Sequence, residues 1–158
     1  KNMGFDIYGN REDSYFRNNV WYWKPMWNYV AEVCNLSDEA HEAGLVNDGY
    51  AISKTQANKI SETLFGELKA NRTQTYDLKH KKYLKELPLK TCKFCNGTGT
   101  RDYKGEDINC NVCNTESTRK EGIPIGKEKN WETNYSFDVD NVREFAEFCK
   151  ESDGFEIC

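Results

Sequence analysis

Long apolar runs and histidine are what this sequence has least of, and both shortages exclude classes of protein. No apolar run approaches the ~20 residues that a membrane-spanning helix needs, and charged residues make up 30% of the chain. The two histidines, His41 and His80, belong to neither an HExxH nor a His-x-Glu motif. The sequence therefore argues against a membrane span, and it contains no motif of the zinc hydrolases or deaminases.

Aliphatic residues are also scarce, because the whole hydrophobic class supplies only 37% of the 158 residues. Aromatic residues make up 13% of the chain, as four Trp, nine Tyr and eight Phe. Each aromatic side chain buries a large area. We therefore expect one domain with an aromatic-rich core built from few elements.

The net charge and the first residues indicate which partners and which cellular compartment to expect. A net charge of −4 argues against general binding of nucleic acid by bulk electrostatics. The first residues contain no long apolar segment of the secretory type. We expect a protein of the reducing cytoplasm, in which disulfides are unlikely to form.

Four of the seven cysteines form two CxxC pairs, Cys92/Cys95 and Cys110/Cys113. Each pair can form a knuckle, a tight turn that places two thiolates side by side. The chain between the pairs is long enough for a two-stranded ribbon that brings the knuckles together. This pattern is strong evidence for tetrahedral zinc, although the spacing lies just below the usual range. Gly97 and Gly99 fit a tight turn that points amides at the sulfurs.

Three other chemistries use cysteine pairs. A thioredoxin-type redox pair would open a helix after a strand, and neither pair has that setting. The expected compartment disfavours disulfides, whereas an iron–sulfur cluster also uses four thiolates and stays an alternative. Four thiolates leave a metal no open position, so the one Zn²⁺ that we expect is structural. We assign no catalytic residue.

Periodicity and turn signals predict an α+β fold, a mostly helical core with a small β-sheet and an inserted zinc ribbon or knuckle hairpin. Ser53 to Gln56 has the form of a capping box and predicts a helix over about 54–70. Extended structure is expected at 20–23 and a strand at 135–139. We divide the chain into an aromatic-rich core at 1–88, a zinc-binding insert at 89–120 and a C-terminal strand–helix–strand at 121–158.

The cysteine segment resembles a known family over about thirty residues. "CKFCNGTGT" resembles one CxxCxGxG repeat of the cysteine-rich domain of DnaJ-type co-chaperones, and "CNVCNTES" resembles a second repeat without its glycines. In that family two adjacent repeats build one zinc site, which implies the ligands Cys92, Cys95, Cys110 and Cys113. The J-domain His-Pro-Asp motif is absent, so the resemblance does not imply co-chaperone activity.

A wider resemblance covers most of the chain. The chain resembles small uncharacterised proteins of bacteriophages and bacteria. The segments that carry this resemblance are, in order, "MGFDIYG", "YFRNNVWYWKPMW", "NDG", the cysteine unit and "FDVDNVREFAEFCKESDGFEIC". This resemblance implies a viral or accessory role in the host cytoplasm and implies no mechanism.

The leading hypothesis is a small zinc-stabilised binding or adaptor protein that contacts another protein, such as host or defence machinery. Its candidate partner-binding residues are a lysine group and two tryptophans: Lys79, Lys81, Lys82, Lys85, Trp21 and Trp23. One alternative is a nucleic-acid-binding zinc module that uses the basic patch from Lys79 to Lys93. A second is an enzyme with a pocket near Asp48 and His41. We expect no small-molecule substrate.

Overall fold

The computed structural model describes residues 3–158 and confirms the α+β class. The strands are β1 Gly4–Gly9, β2 Tyr15–Asn19, β3 Tyr50–Ile52, β4 Lys90–Thr91, β5 Thr100–Tyr103, β6 Glu106–Asn109, β7 Lys127–Glu128 and β8 Phe155–Ile157. The helices are α1 Val20–Val33, α2 Asp38–Gly44, α3 Lys54–Lys69, α4 Arg72–Glu86, α5 Glu116–Lys120 and α6 Val139–Glu151. Within residues 3–158, no helix has the length and apolar character needed to cross a bilayer.

The chain forms two compact units. The first, here called the main unit, comprises the chain up to Tyr83 together with Asn134–Cys158. The second, here called the cysteine unit, is Leu84–Thr133. Both cysteine pairs therefore belong to one compact segment.

The main unit is built on a four-stranded antiparallel sheet with the order β2-β1-β8-β3. The last strand, β8, lies between β1 and β3, so the two ends of the chain are hydrogen-bonded side by side. Alternate side chains of these strands point into the core, among them Phe5, Ile7, Phe155 and Ile157. The closing strand expected at the C-terminus is confirmed.

Helix α1 begins at Val20, so the extended structure expected at 20–23 is wrong. The Asn19 side chain caps the helix by accepting a hydrogen bond from the Tyr22 amide. Pro25 therefore lies inside the helix and cannot donate to the Trp21 carbonyl one turn earlier. The Ser136 amide donates to that carbonyl instead, at 3.1 Å. A tertiary contact thus compensates for the missing helical bond.

The strand expected at 135–139 is also wrong. Asp138 caps α6 by accepting from the Asp140 amide, and the helix starts at Val139. Val142, Phe145 and Cys149 then lie on the buried side of α6. The apolar alternation before Asp138 is short, and it pairs with none of the strands in residues 3–158.

Helix α3 is where local sequence and structure agree best. The Ser53 hydroxyl accepts from the Gln56 amide, and the Gln56 side chain accepts from the Ser53 amide. This reciprocal capping box confirms the predicted start. Its buried face contributes Ala57, Ile60 and Leu64 to the core.

Aromatic rings fill the centre of the main unit. Trp23 stacks between Phe5 and Trp27, with ring centroids 5.6 and 5.4 Å away, and Phe145 meets Trp23 edge-on at 5.4 Å. Both indole N–H groups are satisfied by α2, because Trp23 donates to the Gly44 carbonyl and Trp27 to the His41 carbonyl. The rings therefore supply the apolar area that the scarce aliphatics do not, without leaving polar atoms unpaired.

Gly44 allows this packing because a Cβ at that position would lie 2.0 Å from Trp27 Nε1. We expect Gly44→Ala to lower the free energy of unfolding by about 1–3 kcal/mol, since the overpacked ring must move. Gly66→Ala on α3 is the matched control, because its new methyl group would meet nothing within 4 Å. The control should gain about 0.5–1 kcal/mol from helix propensity. Urea denaturation measures both, and equal effects would contradict the packing argument.

Candidate metal centre

The two CxxC pairs flank a β-hairpin, one before its first strand and one after its second. Cys92 and Cys95 come directly after β4, and Cys110 and Cys113 come directly after β6. Strands β5 and β6 pair with each other and return the chain to its starting point. The predicted ribbon that brings the two knuckles together is therefore present.

The four sulfurs are arranged as a metal site would require. All four ligand atoms lie within 4.8 Å of one another, and all four residues are buried. The Sγ atoms of Cys92 and Cys110 are 3.9 Å apart, and those of Cys95 and Cys113 are 3.5 Å apart. Tetrahedral Zn–S bonds of ~2.3 Å place the sulfurs ~3.8 Å apart, whereas a disulfide bond is only ~2.05 Å long. The cluster can hold one metal ion and fits a zinc knuckle.

Backbone amides point at the sulfurs of both knuckles. The Gly99 amide donates to Cys95 Sγ at 3.2 Å, as the glycines of the first knuckle led us to expect. The Gly126 amide donates to Cys113 Sγ at 3.3 Å. The second knuckle has no glycine of its own, and a residue much later in the chain provides the corresponding amide.

Gly126 was missed by sequence reasoning, and it joins the two knuckles. Its carbonyl accepts from the Cys92 amide at 2.8 Å, so it contacts the first knuckle as well as Cys113. A Cβ on Gly126 would lie 2.3 Å from the Gly97 carbonyl oxygen, and its φ is +87°. The one sequence signal was a glycine in a Pro- and Ile-containing loop, which alone does not indicate contact with a distant turn.

Without a cation the four thiols cannot all ionise. Burial acts to raise the pKa of Cys95, but hydrogen bonds from the Gly99 amide and the neighbouring thiols outweigh it and lower that pKa to about 6. Burial raises the pKa of Cys113 to about 12, and the adjacent thiols add to the rise. A divalent ion among the sulfurs would remove this conflict, because it would stabilise all four thiolates at once.

The four cysteines also form the hydrophobic core of their unit. Across Leu84–Thr133, the only buried hydrophobic side chains are those of the four cysteines, with Val112 partly buried against them. Large apolar side chains lie on the surface instead, and they include Phe94, Tyr103 and Ile108. A metal in this position would replace an apolar core.

The candidate partner-binding residues lie in different environments. The four lysines are all exposed on α4, and Lys81 forms an ion pair with Asp77 at 2.8 Å. Trp21 is exposed at the surface, whereas Trp23 is fully buried in the aromatic core. Only one of the two tryptophans can therefore contact a partner in the folded state.

Asp48 and His41 lie in the main unit. Asp48 is exposed in the connection before β3. His41 is half-buried on α2, with Nε2 2.7 Å from Asn28 Oδ1. The enzyme hypothesis that names them stays a prediction.

Comparisons of this chain with protein-family models, with curated proteins and with solved structures gave no match.

Gly126 provides a test of the centre that leaves all four ligands in place. We expect Gly126→Ala to lower the metal affinity about tenfold or more, because the methyl group would displace an amide that orients Cys113. Gly122→Ala is the matched control, since its φ is +76° but its Cβ would meet nothing within 4 Å. Competition with a chromophoric chelator measures both affinities. An equal loss in both variants would mean that backbone strain alone is responsible.

Proposed function

We propose that this chain is a small binding protein whose cysteine unit is folded around one structural Zn²⁺ and which acts by contact with another protein. The observation that carries this proposal is that the four buried cysteines form the hydrophobic core of a unit whose large apolar side chains are exposed. A metal site of this kind can fix the conformation of a short segment and of the surface it presents. Exposed aromatic and aliphatic groups on a fixed surface are characteristic of protein–protein contacts.

We assign the ion a structural role. Four thiolates complete the tetrahedral coordination of zinc and leave no position for water or substrate. With zinc bound the set carries a net charge of −2, because four thiolates outweigh one divalent ion. The protein's own contribution is to shield the ion and to orient the sulfurs through the Gly99 and Gly126 amides.

The two resemblances support the biological setting of the proposal. The DnaJ-like repeats support a zinc site that holds the fold together, and the likeness to small phage and bacterial proteins supports an accessory role in a host cytoplasm. Host or defence machinery is the class of partner that this setting favours.

A nucleic-acid-binding zinc module is the second candidate, and one observation favours it. Lys79, Lys81, Lys82 and Lys85 are all exposed along α4. Phosphate contacts by these lysines would make binding fall steeply with salt. The net charge of −4 opposes such binding over the whole chain.

The zinc proposal predicts about one equivalent of zinc per chain after purification in reducing buffer. Cys110→Ser should lose the metal and unfold the cysteine unit, because metal-binding energy of ~10 kcal/mol is folding energy in such sites. Elemental analysis measures the metal, and hydrogen exchange over 84–133 measures the folding. Cys34→Ser is the control, since Cys34 packs in the main core and should not change metal content. Iron in place of zinc, or a folded unit without metal, would contradict the proposal.

The protein-contact proposal predicts a discrete cross-link from the exposed surface of the cysteine unit. Benzoylphenylalanine placed at Phe94, which is 60% exposed, should capture one protein after irradiation of cells that make the chain. The same probe at Val46, 53% exposed in the main unit, is the matched control. Gel electrophoresis with mass spectrometry identifies the products. Identical products at both positions, or none at Phe94, would count against a specific contact through this unit.

A further inference from the structure

One face of the β5–β6 hairpin combines an ordered cation with exposed apolar groups. Directly opposite residues of antiparallel strands share a face, and the register places Arg101 opposite Ile108. Tyr103, two residues after Arg101, lies on the same face. Together with Phe94, which contacts Arg101, these residues are called the Arg101 face. Its apolar members are 60% exposed at Phe94, 59% at Tyr103 and 43% at Ile108.

Arg101 is held in place from two directions. Its guanidinium carbon lies 5.7 Å from the centroid of the Phe94 ring. Its Nη1 donates to Asn111 Oδ1 at 2.6 Å. Because the ring and the amide already fix this side chain, little conformational freedom is lost when its remaining N–H groups bind a ligand.

The ordered guanidinium has no carboxylate partner within residues 3–158. The ion pairs of this part of the chain do not include Arg101. Three acids lie on the same hairpin, but Asp102 and Asp107 face each other on its opposite side. Glu106 lies opposite Tyr103 and therefore shares the Arg101 face next to the turn, but it forms no ion pair with Arg101. The acids of the hairpin therefore leave the bidentate donors of Arg101 available to an external carboxylate.

We propose that the Arg101 face binds an extended segment of a protein partner in which a carboxylate side chain alternates with apolar ones. The carboxylate pairs with Arg101, and the apolar side chains cover Tyr103 and Ile108. In an extended peptide, side chains two residues apart share a face and lie ~7 Å apart, which is also the spacing of Arg101 and Tyr103 along β5. This inference rests on the proposed protein-binding function and specifies the chemistry of the partner.

Nucleic acid fits the same face less well. Two aromatic rings and a guanidinium are groups on which bases stack. However, the hairpin carries three acids against two cations, Arg101 and Lys104, and the whole chain has a net charge of −4, which opposes a long run of phosphates. The proposed segment carries carboxylates only at alternate positions, whereas a nucleic acid carries a negative phosphate at every nucleotide.

The test compares two fluorescein-labelled decapeptides with the zinc-loaded chain. In the first, two glutamates alternate with leucines between Gly-Ser ends; in the second, glutamine replaces each glutamate. Fluorescence anisotropy should show the acidic peptide binding at least about tenfold more tightly than its neutral twin, because the charged hydrogen bonds are lost in the twin. Arg101→Gln should weaken the acidic peptide by a similar factor, and Arg101→Lys by less, since it keeps the charge and loses the planar fork.

Arg119→Gln is the matched control. Arg119 belongs to the same unit and also donates to an asparagine, Asn114 Oδ1 at 2.8 Å, but it lies on α5. It should leave peptide affinity unchanged. Metal content is measured in every variant as a control. We expect it to be equal, because both arginines are exposed.

Three results would overturn the proposal. The neutral twin could bind as tightly as the acidic peptide, or Arg101→Gln could have no effect. A dodecamer of thymidine could bind more tightly than the peptide in an Arg101-dependent way, which would assign the face to nucleic acid. Each result leaves the cross-link expected from Phe94 as a separate measurement. The cross-link at Phe94 could capture the same partner equally well in Arg101→Gln and in the unaltered chain. That result would support the protein-binding function and contradict the role given to Arg101.

Discussion

Four cysteine sulfurs brought within 4.8 Å of one another are the constraint on which the cysteine unit depends. Close thiolates repel and buried thiols resist ionisation, so a cation is needed for all four sulfurs to ionise together. The unit has no buried aliphatic or aromatic side chain to provide another core. Its hairpin, its two knuckles and the loop that carries Gly126 all follow from the need to enclose this one cluster.

The main unit, in contrast, is stabilised by ordinary hydrophobic burial. Two stacked indoles and the surrounding rings supply its apolar area, and both indole N–H groups find carbonyls on α2. Close approach of α2 depends on Gly44, where a side chain would displace the Trp27 ring. An aromatic core therefore needs small residues at defined places, because large rigid rings cannot adjust as aliphatics do.

Local chemistry was predictable from the sequence wherever one short segment contains all the interacting groups. The capping box of α3 needs only Ser53 and Gln56, and the knuckle pattern needs only the CxxC spacing. Local preference was misleading at 20–23, where aromatic and β-branched residues suggested a strand. Asn19 caps a helix there, and the Ser136 amide binds the carbonyl that Pro25 leaves unpaired. Packing outweighs the small differences in intrinsic propensity at such positions.

The sequence by itself determined the four cysteines of the candidate metal centre, the α+β class and the aromatic character of the core. Those properties depend on residue type and on spacing along the chain. Only the tertiary structure decided two further points. The Gly126 amide serves the second knuckle, and Arg101 is ordered on Phe94 with no carboxylate partner among residues 3–158. Both depend on how strands pair and loops return, and such long-range contacts leave no periodic signal in the segments that make them.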